Sequence, residues 1–221
     1  MKDLKKFADI EKQIKKIRKE CHFGTLLRKD LAPSPWDQFA RWFSDAVKRS
    51  DYKANVMMLA TSAKGSVSAR SVLLKDFDKR GLLFHTHLNS LKARQIKENP
   101  RACAVFYWPE TERQVIVTGR VIQIPAKETK LYFQSRPRES QIAAWCSLQN
   151  RVLKNREELD ARFEQWSEKF KGKDIPFPSH WAGFRLKPAE FEFWQGRANR
   201  LNDRFRYRSS GKSWKIGRIE P

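Results

Sequence analysis

The sequence predicts a mainly β protein, built as a β-barrel with helices attached at its side and end. Five short segments in the middle of the 221-residue chain are rich in β-branched and aromatic residues, and turn signals such as AKG and DFDKRG separate them. Helical periodicity occurs before, between and after these segments, and strand character returns near the C-terminus. Closely spaced short strands favour an antiparallel sheet or barrel. Since no repeat or long linker interrupts the chain, we expect one domain, residues 30–221, after an N-terminal arm, residues 1–29.

The N-terminal arm is predicted to be helical. Residues 3–20 carry apolar side chains at spacings of three and four, with lysines on the opposite face. A second helix is expected to begin after Ser34, a typical N-cap residue, with Pro35 in its first turn. The predicted apolar face of this second helix consists of Phe39, Trp42, Phe43, Ala46 and Val47.

The remaining elements follow in chain order. The central strands are predicted at residues 55–62, 66–74, 81–87, 101–108 and 113–124. Four helices are predicted at residues 90–100, 125–135, 136–147 and 155–170, the last with Leu159, Phe163, Trp166 and Phe170 facing inward. Four more strands are predicted at residues 182–188, 190–196, 204–208 and 213–219.

The composition indicates an anionic partner. The chain has 46 Lys and Arg residues against 25 Asp and Glu, which gives a formal charge of +21. This charge is compatible with nucleic acid and equally with small phosphorylated substrates. The three cysteines are far apart, so we expect no disulfide framework, no zinc site and a cytoplasmic location. No run of eighteen apolar residues occurs, so neither a membrane span nor a signal peptide is predicted.

The stretch FWQGRANRLNDRFRY, residues 193–207, mixes arginines with aromatic residues. Strand alternation puts Phe191 and Phe193 on one face, which favours a core position over a platform for stacking bases. In the connection that follows, Arg200 and Arg204 flank Asn202 and suit the planar recognition of an anion or a heteroaromatic ring. A solvated hairpin with a structural Asp–Arg pair is equally compatible with this spacing.

Two other segments are candidates for phosphate binding. Arg70 and Lys75 lie at opposite ends and on opposite faces of a predicted strand, where the spacing favours exposed charged ends over two phosphate sites. Tyr132, Arg136 and Ser140 are four residues apart, which predicts one stripe on a helix. That stripe is either a phosphate cradle or an ordinary polar face.

Metal binding and unaided catalysis are both disfavoured. His85 and His87 are two apart on a strand and could chelate a metal, but no carboxylate or Cys partner is evident. The sequence has no Ser-His-Asp arrangement, Walker loop or GxGxxG motif. Difficult chemistry would therefore come from a bound cofactor.

Four segments carry a resemblance to a known family. RSVLLKDFD, ERQVIVTG, YFQSRPRESQIAAW and FWQGRANRLNDRF occur in this order, with SHWAGFRL between the last two. From about residue 15 to Pro221 the chain resembles the pyridoxamine 5′-phosphate oxidase family. The resemblance implies a split β-barrel homodimer with FMN in each of two clefts at the subunit interface. It also implies oxidation of pyridoxamine or pyridoxine 5′-phosphate to pyridoxal 5′-phosphate, with dioxygen as acceptor and hydrogen peroxide as by-product.

The resemblance also implies the site residues. FMN contacts would come from Arg70, Ser71, Val72, Leu73, Leu74, Lys75, His85, Thr86, Lys92, Gln114, Gln149, Asn150, Trp194 and Arg204. The substrate phosphate would be bound by Lys75, Tyr132, Arg136 and Ser140, and the pyridine ring would lie near Arg200, Leu201 and Asn202. Arg200 and Asn202 are the candidate catalytic residues.

Four positions depart from the family pattern. Asn202 stands where His is frequent, Leu91 where Arg is usual, Asn150 in place of Ser, and Cys21 where Tyr often ends an N-terminal segment. Asn202 cannot titrate near neutrality, which puts acid–base chemistry at that position in doubt. A flavin reductase-like split-barrel protein and a basic RNA-binding protein remain the alternatives.

Overall fold

The computed structural model describes residues 10, 13–14, 24–50, 53–211 and 213–221. Within the predicted N-terminal helix only Ile10, Gln13 and Ile14 are described, and these three are helical. The rest of that prediction, and Cys21, lie outside the described residues. The α-helices of the described chain are α1 (Pro35–Ser50), α2 (Leu91–Glu98), α3 (Ala126–Gln134), α4 (Arg138–Cys146) and α5 (Glu157–Lys169).

The strands form one antiparallel sheet. They are β1 (Val56–Ala63), β2 (Ser66–Leu73), β3 (Asp76–Asp78), β4 (Gly81–His87), β5 (Arg101–Trp108), β6 (Arg113–Gln123), β7 (Trp181–Gln195), β8 (Asp203–Ser210) and β9 (Ser213–Ile219). The order across the sheet is β2-β1-β5-β6-β7-β4-β3, and β8 pairs with both β7 and β9. Most predicted elements are thereby confirmed, including the cap of α1, where the Ser34 hydroxyl accepts from the Trp36 amide at 3.2 Å.

Strand β7 is one continuous strand where the sequence predicted two. Its first part pairs with β4 and its last part with β8, while β6 runs along nearly all of it. The register of the β6–β7 pair shifts between Thr118 and Gly119, opposite Pro188. Proline lacks an N–H and is tolerated at such an irregularity. A Cβ at Gly119 would lie 2.0 Å from the Lys187 carbonyl oxygen, so only glycine allows this close approach.

The segment read as a turn, DFDKRG, contains a strand. Asp76–Asp78 pairs with Gly81–Leu83, and the turn is confined to Lys79 and Arg80. Three residues are too few to show an alternating pattern.

The main core lies between α1 and the inner face of the sheet. Phe39 and Trp42 of α1 are buried and pack against Phe106 and Phe193 of the sheet. Val47 was predicted on this face but is 40% exposed, because the apolar stripe of α1 ends one turn earlier on that side. A second, smaller core lies among α3, α4, α5 and the start of β7, and includes Phe133, Ile142, Phe170, Ile175 and Trp181.

Two further observations bear on sequence expectations. Cys103 and Cys146 are free thiols. Among the residues that the structure describes, no helix is both long and apolar enough to cross a membrane.

Candidate functional site

A cleft of about 460 Å³ lies where β2 and β4 meet the short helices. Its lining includes many of the residues that the resemblance implied: Ser71, Val72, Leu73, Lys75, His85, Thr86, Lys92, Tyr132, Arg136, Ser140 and Gln149. Pro137 and Trp181 complete the lining. The cleft therefore joins side chains that are more than one hundred residues apart in the sequence.

The predicted helical stripe of Tyr132, Arg136 and Ser140 is wrong in its geometry. Tyr132 belongs to α3 and Ser140 to α4, and Arg136 lies in the turn between the two helices. Pro137, in an extended conformation, precedes α4 and prevents one continuous helix. All three side chains still line the same cleft because the two helices meet at this turn.

Arg136 lies over an aromatic surface. Its guanidinium carbon is 4.8 Å from the centre of the Trp181 ring and 5.9 Å from that of Phe133. Its Nη1 atom is buried, and no hydrogen-bond partner for it exists among the described residues. Burial lowers the pKa of Arg136, yet an arginine remains charged at neutral pH. The cleft thus holds a cation for which the described lining residues supply no counter-charge.

His85 is a neutral ring packed beside this cation. Its imidazole is nearly parallel to the rings of Tyr132 and Trp181, at centroid distances of 4.2 and 4.8 Å. Burial, together with the charges of Arg136 and Lys75, lowers the pKa of His85 to about 4. Both ring nitrogens are buried without a partner in the described part of the chain. His85 therefore adds an uncharged polar ring to a cationic cleft.

A second group of polar side chains lies at the start of α2. The Lys92 ammonium donates to the Thr86 hydroxyl at 3.2 Å, and this hydroxyl also lies 3.4 Å from Oε1 of Gln149. Ser90 caps the helix by accepting from the Ala93 amide at 3.2 Å. Burial, and to a lesser degree the charge of Arg70, lowers the pKa of Lys92. A lysine in such a setting favours an anion nearby.

Arg70 points inward and does not line the cleft. Its guanidinium donates to the Thr61 hydroxyl at 2.6 Å and the Leu59 carbonyl at 3.0 Å, and it also contacts Ser68 and Gln95. The prediction of an exposed charged strand end is therefore wrong at Arg70. Lys75, at the other end of this segment, is exposed and lines the cleft as the resemblance implied.

The other residues that the resemblance implied do not line this cleft. Leu74 lies in the core, and Asn150 is exposed beside Gln149. Gln114, Trp194 and Arg204 are direct neighbours across β6, β7 and β8, so they form one row on the outer face of the sheet. Arg200, Leu201 and Asn202 lie in the β7–β8 connection.

Arg204 is held by its own chain. Its Nε and Nη2 atoms donate to Oε1 of Glu192 at 2.9 and 2.8 Å, and its Nη1 atom donates to the Glu220 carbonyl at 2.7 Å. Glu192 is buried, and it also lies near Arg206. The row therefore presents an arginine whose charge is already compensated.

The β7–β8 connection has an unusual backbone. Asn199 and Arg200 both adopt positive φ, at 57° and 60°, which is rare for residues other than glycine. The Asn202 side chain accepts from the Arg197 amide at 2.9 Å. The predicted structural Asp–Arg pair exists, but Asp203 pairs with Arg197 and Arg218 rather than with Arg200 or Arg204.

The aromatic residues of the basic stretch belong to the core. Phe191, Phe193, Phe205 and Tyr207 are all buried, and only Trp194 is partly accessible. This result confirms the core interpretation of Phe191 and Phe193. A surface that stacks nucleic-acid bases needs exposed rings, and this stretch does not provide them.

Sequence reasoning missed several residues that shape the site. The Arg136 guanidinium lies over the Trp181 ring. Gln95 accepts hydrogen bonds from Thr61 and Ser68 next to Arg70. Glu192 accepts from Arg204. The alternation in EFEFWQG put Glu192 on the same face as Trp194, which was a usable signal. No local pattern points to Trp181 or Gln95. Among the described residues, no group of three or more His, Cys, Asp or Glu side chains could hold a metal ion.

Comparison with protein families gives two matches that together cover most of the chain. Residues 43–170 match the family described as pyridoxamine 5′-phosphate oxidase. Residues 181–221 match the pyridoxine 5′-phosphate oxidase C-terminal dimerisation region.

Curated relatives and solved structures agree with these matches. The pyridoxine/pyridoxamine 5′-phosphate oxidase of Crocosphaera subtropica is 46% identical over 209 residues, which is 93% of this chain and 98% of the relative. The enzyme of the same name from Hahella chejuensis is 45% identical, with 93% and 98% coverage. PhzG from Burkholderia lata, solved with tetrahydrophenazine-1-carboxylic acid, superposes with a TM-score of 0.83 at 29% identity, covering 90% of this chain and 99% of that one.

A more distant structure shows the fold alone. The pyridoxamine 5′-phosphate oxidase-related, FMN binding protein from Nostoc punctiforme gives a TM-score of 0.70 at 20% identity, with 86% and 100% coverage. With PhzG, it confirms the predicted fold class, a mainly β split barrel with peripheral helices.

Proposed function

Because this chain belongs to the pyridoxamine 5′-phosphate oxidase family, we propose that it oxidises pyridoxamine 5′-phosphate or pyridoxine 5′-phosphate to pyridoxal 5′-phosphate. The reaction uses FMN, with dioxygen as the electron acceptor and hydrogen peroxide as the second product. It belongs to the synthesis and salvage of vitamin B6.

The convergence of Lys75, Tyr132, Arg136 and Ser140 on one cleft is the observation that carries this proposal. Two cations and two hydroxyls supply charge-assisted and neutral hydrogen bonds to a phosphate. No carboxylate is among the described residues that line the cleft, so nothing there neutralises the cations before a ligand arrives. A phosphate dianion fits this chemistry better than a neutral or cationic ligand.

The same cleft fits FMN. FMN carries a phosphate and a flat aromatic ring system, and the Lys92–Thr86–Gln149 group offers a second cationic patch with a hydroxyl and an amide. The lowered pKa of Lys92 reflects burial, and to a lesser degree the nearby Arg70 charge, which an anion would offset. When bound, FMN supplies the redox chemistry, taking two electrons from the substrate and passing them to dioxygen.

The protein binds and orients the substrate. Arg136 and Lys75 attract its phosphate, with Tyr132 and Ser140 as hydroxyl donors, and this remote contact fixes the reacting carbon in place. His85 stays neutral at physiological pH, so the charges that attract the phosphate are those of Arg136 and Lys75. Arg200 and Asn202 contact the pyridine ring in this proposal, and Asn202 acts as a hydrogen-bonding group without titrating.

We also propose that the functional unit is a homodimer. The C-terminal region matches a dimerisation region, and the outer face of the sheet exposes Met58 and Tyr107 beside the Gln114–Trp194–Arg204 row. These row residues, and the 196–202 loop, do not line the cleft of their own chain. A partner's row placed against this cleft would complete each site.

Oxygen consumption by the purified protein with added FMN tests the function. Both phosphorylated substrates are supplied separately, and pyridoxal 5′-phosphate and hydrogen peroxide are quantified. Turnover of either substrate supports the proposal. Absence of both products in FMN-loaded protein would refute it, and flavin reduction by a nicotinamide cofactor alone would favour the flavin reductase-like alternative.

The dimer is tested by linkage between flavin binding and association. If each site is shared, FMN affinity falls when the protein is diluted below its dimer dissociation constant. An FMN affinity that is the same for monomer and dimer would contradict the shared site. The cytoplasmic location and the arm boundary at residue 29 stay predictions.

A further inference from the structure

The carboxylate of Asp203 connects three separate parts of the chain. Its Oδ2 atom accepts from the Leu26 amide at 3.0 Å and from Nη1 of Arg197 at 3.2 Å. Its Oδ1 atom accepts from Nη1 of Arg218 at 2.7 Å. Arg218 also donates to the Leu26 carbonyl at 3.3 Å, so the arginine and the aspartate together hold this backbone unit.

The carboxylate of this cluster is buried, whereas the side chains of Arg197 and Arg218 reach solvent. The Asp203 side chain is only 3% exposed, and the Arg218 guanidinium lies 4.7 Å from the centre of the Phe205 ring. The hydrogen bonds from Leu26, Arg218 and Arg197 outweigh the effect of burial and lower the pKa of Asp203. A buried carboxylate with three donors is costly to disturb, because each donor would lose a charge-assisted partner.

The loop that precedes Asp203 needs external support. Asn199 and Arg200 occupy the left-handed region in succession, a conformation that persists only when surrounding contacts impose it. Both side chains are exposed, and within the described chain no hydrogen bond or ion pair joins the side chain of Arg200. The loop is instead fixed at its two ends, by Arg197 on Asp203 and by Asn202 on the Arg197 amide.

We propose that Asp203 is a positioning residue that holds the 196–202 loop in the conformation presenting Arg200 and Asn202 to the substrate. The inference rests on the proposed function, because that function gives these two residues their role. Asp203 does not touch the substrate in this scheme. It acts through Arg197 at the loop start, and it ties the loop to Leu26 and to the C-terminal strand.

The experiment compares Asp203→Asn with the wild-type holoenzyme. Asparagine keeps the size but removes the charge, so we expect kcat/KM for pyridoxamine 5′-phosphate to fall about 10- to 100-fold, as for a misplaced substrate contact. FMN affinity, measured by flavin fluorescence, should change by less than about threefold, since the loop is not in the Lys92–Thr86–Gln149 group. Asp78→Asn is the matched control, because Asp78 accepts from Arg80, Arg185 and one backbone amide at a distant turn.

A double-mutant cycle separates positioning from general stability. Arg197→Gln removes the same link from the loop side, so its effect on kcat/KM should be largely absent in the Asp203→Asn background. Additive effects would overturn the inference. So would a folded Asp203→Asn protein with wild-type kcat/KM, whatever the loss in Tm.

Failure of the proposed function and failure of the positioning role give different results. A wild-type protein that oxidises neither substrate refutes the proposed function, whereas an active wild type with an equally active Asp203→Asn refutes only the positioning role. If Asp203→Asn does not fold, Arg197→Gln and Arg218→Gln each remove one donor. Both should then lower kcat/KM several-fold with FMN retained, and unchanged values in both would overturn the inference.

Discussion

The cleft and the outer face of β7 and β8 are both rich in arginine and lysine, but they differ in how these charges are compensated. In the cleft, Lys75, Lys92 and Arg136 have no carboxylate partner among the described residues. On the sheet face, Arg204, Arg206 and Arg208 all pair with Glu192 or Glu190. Uncompensated cations attract an anionic ligand, whereas cations paired with glutamate hold neighbouring strands and side chains in one conformation. The net charge of the chain therefore says little until each cation is placed.

The largest expected effect comes from removing an uncompensated cation. Arg136→Ala should raise the KM for the phosphorylated substrate about 10- to 100-fold, because one charge-assisted contact contributes on the order of 1.5–3 kcal/mol. The FMN content of the purified protein should change little.

The control for Arg136→Ala is Arg138→Ala, two residues further along. Arg138 donates to the Lys173 and Phe170 carbonyls, so its loss should lower Tm without raising KM. Equal KM values for wild type and Arg136→Ala would show that Arg136 does not bind the substrate phosphate. They would also contradict the contrast between uncompensated cations in the cleft and compensated arginines on the sheet face.

A smaller effect, on FMN affinity, is expected from substitutions on the outer face of β7 and β8, where the arginines are paired with glutamates. Glu192→Gln removes the charge that holds Arg204 and should weaken FMN binding by roughly fivefold, the equivalent of about 1 kcal/mol. A fluorescence titration measures this change. Glu190→Gln, which touches Arg206 and Arg208 but not Arg204, should leave FMN affinity unchanged. If both variants behave alike, the effect is general electrostatics and not the positioning of Arg204.

His85 gives a pH-dependent prediction. Its pKa is lowered to about 4 in the folded chain against about 6.5 when unfolded, so the unfolded chain binds more protons between these values. Stability should therefore fall as the pH drops from about 6.5 to about 4, and be unaffected by His85 above this window. His85→Phe keeps a ring beside Tyr132 and should lose less stability on acidification, by roughly 5–10 °C in Tm at pH 4.5.

Thermal unfolding of wild type and His85→Phe at pH 7.5 and pH 4.5 measures this difference. Parallel curves for the two proteins would show that His85 is not the group that titrates. They would also weaken the description of the cleft as a cationic environment, because Arg136 and Lys75 contribute to the shift.

The smallest effect is expected for Arg208, the most exposed of the arginines Arg204, Arg206 and Arg208 on the sheet face. Arg208 bonds Glu190 at 2.8 Å, but its side chain is 65% exposed, and such pairs contribute little in water. Arg208→Gln should change the free energy of unfolding by less than about 0.5 kcal/mol and leave turnover intact. A chemical denaturation curve tests this, and a large loss would mean that the surface becomes buried on dimerisation.

The sequence predicted the helices and strands better than it predicted their boundaries and connections. Strong periodicity gave the helices and central strands, whereas β3 was too short to show a pattern and β7 was split by Pro188, which is tolerated because the β6–β7 register shifts there. The phosphate group of residues was predicted as a helical stripe. The two helices predicted at residues 125–135 and 136–147 already divided this group, and the structure confirms a break at Arg136 and Pro137. The spacing of four does not encode the tertiary packing that brings the two helices together around the cleft.

The partners of the site residues were the least predictable part. The resemblance named Arg70 and Arg204 but not their partners, which are Thr61, nine residues away on β1, and Glu192, twelve residues away on β7. Strand alternation put Arg70 on the face of Val72 and Leu74, and its guanidinium bonds to β1 without lining the cleft. The roles of Arg200 and Asn202 stay predictions, since their loop does not reach the cleft of its own chain.

The position of helices α3, α4 and α5 has a consequence for how the protein folds. They lie between β6 and β7, two strands that pair along eleven residues of β6. Closing this pair costs the entropy of a long loop before any of its hydrogen bonds form, and such non-local pairing slows folding. Tyr132, Arg136 and Ser140 all reside in that loop. The phosphate-binding part of the cleft is thus expected to be completed late on the folding pathway, when the pairing of β7 brings Trp181 beside Arg136.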